Sequence, residues 1–497
     1  MQSRAANLKA SRLDHLPDAL LFLIFSSTSR EELLSALPLV CRAFSDLLRS
    51  PHPFWGQRNP SWSFKSFPSK VDGPRLCRWL SPSLQELTVF YCPLGAFIPE
   101  QSTVFVQDLL SVLPPTLTIL VLLGDSLNGY HQNEYSHKQL PYSFERQLNI
   151  VPFLGALMRL SNLQKLALPL PSELHQQGLR SLAAVKTLQG LNLVWQPVPV
   201  NQPGHHNAAW QGNLCILASL TALRLRAPYI AGIQGAALLP GLQRLTIKGS
   251  RALSLLGAQH ARSLTVLSLV DVILIDHSSA ILDMLQSLSS LKNLQFNRAA
   301  LMSGGLHLAS LLELPCLEAL AALDTKGIHC IEEPFSGQVS CHLTALAMLV
   351  EPNQYMKAIP GIDQLMSLQY LDLFIKPSSR ICYLPISLSR LISLKHLTCR
   401  ASGSAADQYQ NLDITALSLL GPCLEKIRFH GDLRLLTTSS LLPLAAGPRL
   451  QNFCVNACQV AQTGPTWLHL AALLHALLQR PQAGLPRVHM QPALHQI

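Results

Sequence analysis

Charge is scarce in this chain of 497 residues: Asp, Glu, Lys and Arg together make 13%, against roughly 25% in an ordinary globular domain. With 48% hydrophobic residues, that scarcity excludes a disordered or polyelectrolyte chain. Aromatic residues reach only 6%, so any core is built from aliphatic side chains. The 12 cysteines are scattered singly. That is too thin for a disulfide scaffold and fits reduced, buried thiols in an intracellular protein. Long apolar runs are also missing. No stretch of 18 apolar residues is free of charge or proline, and the longest early run, Ala19 to Phe25, is too short for a bilayer. The net charge of +10 includes no basic run of five. These absences predict a chain that binds neither membrane nor nucleic acid, placed in cytoplasm or nucleus. Arg4, Lys9 and Arg12 in residues 1–12 read as a frayed, disordered N-terminus.

Catalytic signatures are missing as well. No G-x-S-x-G, P-loop, H-E-x-x-H or dinucleotide fingerprint stands in a supporting context. Cys454 and Cys458 form C-x3-C without a second pair at metal spacing, and His205-His206 lies in a Pro/Asn/Gly loop. The expectation is a non-catalytic chain with no cofactor and no metal.

What the chain has is leucine, 102 of its 497 residues. From residue 84 the hexamer L-x-x-L-x-L, with other apolar residues standing in for its later leucines in eight copies, returns fourteen times, at Leu84, Leu117, Leu163, Leu188, Leu220, Leu242, Leu264, Leu291, Leu317, Leu343, Leu368, Leu394, Leu424 and Leu450. Most spacings fall in or near 20–29 residues, the period of leucine-rich repeats. In such a unit the last two apolar residues alternate on a short strand and point inward, while those between them point outward. One unit cannot close a core, but stacked units can. Each strand is expected to be followed by a helical or irregular return with its own leucines, such as AILDMLQSL before Leu291. Three positions after the last apolar residue, such arrays favour Asn or Cys. Cys92 and Cys458 stand there in the first and last copies, with Ser250, Ala299 and Ser402 in middle ones. The fold expected is an α/β repeat solenoid, a leucine-rich-repeat horseshoe over residues 84–466 with an insertion near 124–147. A C-terminal cap helix (467–480) and a flexible tail (481–497) follow it.

The first 55 residues read differently. Leu16-Pro17-Asp18 opens a helix carrying Leu20, Leu21, Ile24 and Phe25. Ser29 to Glu32 is a capping box for a second helix with Leu33, Leu34 and Leu37, closed by Pro38. Leu39, Val40, Phe44, Leu47 and Leu48 give a third, stopped by Ser50-Pro51. Helices of about ten residues cannot bury all these side chains among themselves, so some face a neighbour.

This stretch resembles an F-box, in its opening Leu16-Pro17-Asp18, the Ile24-Phe25 pair, Leu33-Leu34, the run Leu39-Val40-Cys41-Arg42, Phe44 and the closing Trp55. Pro38 is less usual there. The resemblance implies a three-helix F-box over residues 13–56, joined by a linker or cap helix (57–83) to the repeats. It also implies docking on a Skp-type adaptor, and through it a cullin–RING ubiquitin ligase. The adaptor contacts it implies are Leu16, Pro17, Ile24, Phe25, Leu34, Val40, Cys41 and Trp55. With the repeats behind it, nearly the whole chain resembles the F-box/leucine-rich-repeat substrate receptors, in which the repeats select the target protein.

The outward strand positions carry the candidate target contacts. Arg224, Arg226, Arg244 and Lys248 form one basic group; Arg400, Lys426, Arg428 and His430 form another. Such groups suit acidic or phosphorylated segments. Between them Ala319, Ala321, Ala345, Ala347 and Leu349, joined by Tyr370 and Phe374, make an apolar strip for a hydrophobic anchor. The loop 194–213, with Trp195 and Trp210, and the insertion 124–147 are candidate rim contacts. Two other readings stay open: a scaffold that never enters a ligase, and an inositol-phosphate receptor on the same architecture.

Overall fold

The computed structural model describes, with short breaks, residues 61–64, 84–91, 110–124, 155–171, 175–196, 217–226, 239–255, 261–329, 342–350, 362–375, 382–401, 410–436, 449–456 and 487–491. The F-box-like segment 13–56 with the eight adaptor contacts expected there, the expected insertion 124–147 beyond its first residue, Trp210, and residues 467–480, expected as a cap helix, lie outside the described residues.

The chain divides into two compact units, 1–202 and 203–497. In the first, strands β1 (Ser61–Phe64), β2 (Glu86–Tyr91), β3 (Ile119–Gly124), β4 (Lys165–Pro171) and β5 (Gly190–Gln196) run parallel in chain order. Helix α1 (His175–Ala183) lies between β4 and β5 in sequence.

The second unit carries β6 (Ala222–Arg226), β7 (Arg244–Lys248), β8 (Val266–Val270), β9 (Ile273–His277), β10 (Asn293–Asn297), β11 (Ala300–Ser303) and β12 (Leu306–His307). It continues with β13 (Ala319–Leu323), β14 (Ile328–His329), β15 (Ala345–Val350), β16 (Tyr370–Ile375), β17 (Cys382–Tyr383) and β18 (His396–Ala401). The last strands are β19 (Gln410–Asp413), β20 (Lys426–His430), β21 (Leu433–Leu436), β22 (Asn452–Asn456) and β23 (Arg487–Gln491). The main ladder runs β6-β7-β8-β10-β13-β15-β16-β18-β20-β22-β23, with parallel pairing throughout. Each of the fourteen copies starts a strand two residues after its first leucine, four of them β2 to β5 of the first unit and ten on the ladder of the second. Each unit is built on a ladder of parallel strands of leucine-rich-repeat type.

The pairing shows why the hexamer works. The first leucine of every copy is at most 2% exposed. The carbonyl of the next residue accepts two N–H groups from the following repeat: Thr265 takes Lys292 and Asn293 at 2.9 Å each, and Lys292 takes Glu318 and Ala319. A tight turn three residues earlier repeats too, as in Leu264 N–H to Ala261 and Leu394 N–H to Leu391. Inward volumes compensate between neighbours. Phe296 stands in register with Ala322, and Phe429 with Cys399, all buried. Large against small keeps a stacked core near crystal density.

Past the strand the backbone turns left-handed, at Gly249 (φ 79°), Asp271 (φ 54°) and Arg298 (φ 51°). Their N–H groups donate to Val270, Asn297 and Leu323 in the next repeat. Glycine takes this conformation freely, whereas Arg rarely does. Arg298 is held by Asp271, with Nε 2.6 Å from Oδ1 and Nη2 donating to Oδ2 at 3.1 Å. The next positions, Ser250 and Ala299, are buried as small turn residues.

The returns are more varied than expected. Helix α2 (Ser278–Ser287) holds AILDMLQS, a segment expected as a helical or irregular return, and buries Ile281, Met284 and Leu285. A short helix α3 (Leu308–Leu312) follows β12, and single 3-10 turns serve Ile362–Gln364 and Ile386–Arg390. Elsewhere the returns pair with each other, as β9–β11, β12–β14 and β17–β19–β21. Two expected boundaries also change. Arg487–Gln491, assigned to the tail by sequence, pairs in register with β22, and Ser61–Phe64, assigned to the linker, pairs with β2. Trp195 belongs to β5 rather than to a loop.

Candidate partner-binding groove

The outward residues of β10, β13, β15, β16, β18 and β20 enclose a groove of about 400 Å³. Its floor is Ala319, Ala321, Ala345 and Ala347, in register across β13 and β15. Alanine at four adjacent outward positions lowers the surface between longer neighbours. Asn293 and Gln295 wall it on the β10 side. On the other side come Tyr370 and Asp372, then His396 and Thr398, then Lys426 and Arg428. Strict parallel register makes this order: Ala347, Asp372, Thr398 and Arg428 form one cross-strand row, and Ala345, Tyr370, His396 and Lys426 another.

The rim is aromatic and basic. Tyr370 and His396 stack with centroids 4.6 Å apart, and Tyr370 is 48% exposed. Arg428 is exposed. Burial first, then the cations Lys426, Lys395 and Arg428, hold His396 below the ordinary histidine pKa; Glu425 opposes them. His430 is lowered by burial and by Arg400 and Arg428. Asp372 is the groove's acid. Burial raises its pKa against the pull of Arg400, whose Nη2 lies 2.9 Å from Oδ2; its Oδ1 is buried without a hydrogen-bond donor. Arg400 also lies over the Phe374 ring, 5.2 Å from its centroid.

Of the nine target contacts expected from sequence, Tyr370, Lys426 and Arg428 line the groove. Phe374 and Arg400 lie on its strands but not in its lining. Arg224, Arg226, Arg244 and Lys248 form a separate group on β6 and β7, with Arg226 and Lys248 in register. Burial lowers the Lys248 pKa, as do Arg226 and Arg224, while Asp271 at 3.9 Å raises it. Asn293, Gln295, Asp372, His396 and Thr398 were missed from sequence. Their signal was there, since each holds an outward position of the hexamer. Cys454 also holds one, beside Arg428 in register, yet is buried. Among the described residues no cluster of His, Cys, Asp and Glu is arranged to hold a metal ion. No described helix is long and apolar enough to cross a membrane.

No family model and no curated protein matches the chain. Among solved structures it is similar to an internalin from Listeria monocytogenes, at 12% identity and a TM-score of 0.39, over 84% of this chain and 95% of the internalin. The repeat fold is read from the ladder itself.

Proposed function

We propose that the chain is a non-catalytic substrate receptor of a Skp–cullin–F-box ubiquitin ligase, working in cytoplasm or nucleus. One observation carries the reading: the ordered F-box-like pattern from Leu16 to Trp55 precedes a repeat ladder bearing a walled groove. Residues 13–56 would dock on the Skp-type adaptor, through Leu16, Pro17, Ile24, Phe25, Leu34, Val40, Cys41 and Trp55. The strand face would hold an acidic or phosphorylated target protein. The chain's contribution is proximity, because holding a target beside activated ubiquitin raises its effective concentration.

Co-expression with the adaptor tests this. The wild-type chain should be recovered with it. Replacing Leu16, Pro17 and Ile24 together by Ala should abolish recovery while the repeats stay folded by circular dichroism. Undiminished recovery would reject the contact set. Absence of recovery from the wild type would favour the scaffold reading, in which the repeats bind partners outside any ligase.

A further inference from the structure

Taken separately, the alanine strip and the second basic group each permit many ligands. The structure puts them in one groove, and their separation restricts what fits. Resting on the reading of the strand face as the partner-binding surface, we propose that the groove binds an extended peptide segment bipartitely. A large apolar side chain sits on the alanine floor, and an acidic side chain six residues away sits on Lys426 and Arg428.

The spacing follows from the ladder. Ordered across the groove, the strands are β13, β15, β16, β18 and β20. Neighbouring strands lie about 4.8 Å apart. From the floor's centre, between β13 and β15, to β20 is three and a half steps, about 17 Å at that separation. An extended chain covers about 3.3 Å per residue and its side chains alternate between faces, so the first same-face residue to span that distance is the sixth, about 20 Å along.

The floor selects a large aliphatic or aromatic residue, because four alanines leave a depression between the amides of Asn293 and Gln295 and the ring of Tyr370. The far end selects a carboxylate. Lys426 and Arg428 stand two residues apart on one strand with no acid opposite them in register. Their partners are His396 and Thr398 on β18, and Asn452 and Cys454 on β22. The stacked pair Tyr370 and His396 gives the intervening backbone a flat ridge. Asp372 fixes the phase. It stands one and a half steps from the floor's centre, about two residues along such a chain. An acid two residues from the anchor therefore meets a carboxylate already short of a donor.

Selection of a displayed library of linear ten-residue peptides on the full chain tests this. The expected consensus pairs Leu, Ile, Met or Phe with Asp or Glu at a separation of six, with acids depleted at a separation of two. In a synthetic peptide of that consensus, alanine at either position should weaken binding at least tenfold. A parallel peptide with phosphoserine in place of the acid tells whether phosphate substitutes for carboxylate. On Arg428→Glu the acid preference should turn to Lys or Arg. On Asp372→Asn the depletion at two should fade. No consensus, a different separation, or a consensus unchanged on Arg428→Glu would overturn the proposal. Adaptor recovery is measured on the same variants. Its loss with an intact consensus would strike the ligase reading alone, and a missing consensus with intact recovery would strike the groove alone.

Discussion

The main ladder and the returns of the second unit solve one problem by opposite means. Along the ladder, the ten strands from β6 to β22 follow the same buried leading leucine and pair in parallel, and nine carbonyls from Thr221 to Glu425 each accept two N–H groups. Among the returns, a ten-residue helix, a five-residue helix, 3-10 turns and short paired strands all occur. The ladder's hydrogen bonds leave each repeat for the next, so one misfit is felt by two neighbours. A return mainly needs to deliver apolar residues beneath its own strand. Uniformity is therefore demanded only where repeats meet.

The largest test of that contrast is truncation of a ladder phenyl ring. Phe296→Ala or Phe429→Ala should cost about 3–5 kcal/mol, because each side chain is fully buried between neighbouring repeats. Urea denaturation reads the loss. In the returns, Gly304→Ala should cost about 1–3 kcal/mol. Gly304 has φ 75°, and an added Cβ would stand 2.6 Å from Ser278 Oγ. Hydrogen exchange should show that damage confined to the neighbouring returns. At the junction of the two regions, Asp271→Ala should cost about 1–2 kcal/mol by removing the partner that holds Arg298 left-handed.

A smaller effect should appear with pH. His396 and His430 both sit below the ordinary histidine value of 6.5. The unfolded chain thus binds more protons than the folded one. The stability they preserve is fully present above pH 6.5 and declines as pH falls through and below it. His396→Gln with His430→Gln should flatten the fall in melting temperature between pH 7.5 and 5.5. The smallest effect belongs to Ile392→Ser. This return-side residue is 66% exposed, and its loss should stay within about 0.5 kcal/mol.

Much of the fold was legible because its period is short and its signal is leucine. All fourteen hexamers start a strand at the same offset. β1 and β23 were not legible, because Ser61–Phe64 and Arg487–Gln491 carry no leucine. Pairing with an existing edge, rather than a pattern of their own, makes them strands. The site was half legible. Periodicity named the outward rows, so Tyr370, Lys426, Arg428 and the alanines could be picked out. Register then decides which rows adjoin. That is why Asp372 and His396 enter the groove, why Arg400 is spent on Asp372 and Phe374, and why the β6–β7 cations stand apart.

The central claim is that two separate parts of one chain hold two different partners. Adaptor recovery and binding of the selected peptide, measured on the same preparations, test it most directly. Leu16, Pro17 and Ile24 replaced by Ala should lose the adaptor and keep the peptide, while Arg428→Glu should lose the peptide and keep the adaptor. If either change abolished both, or neither, the account would be contradicted.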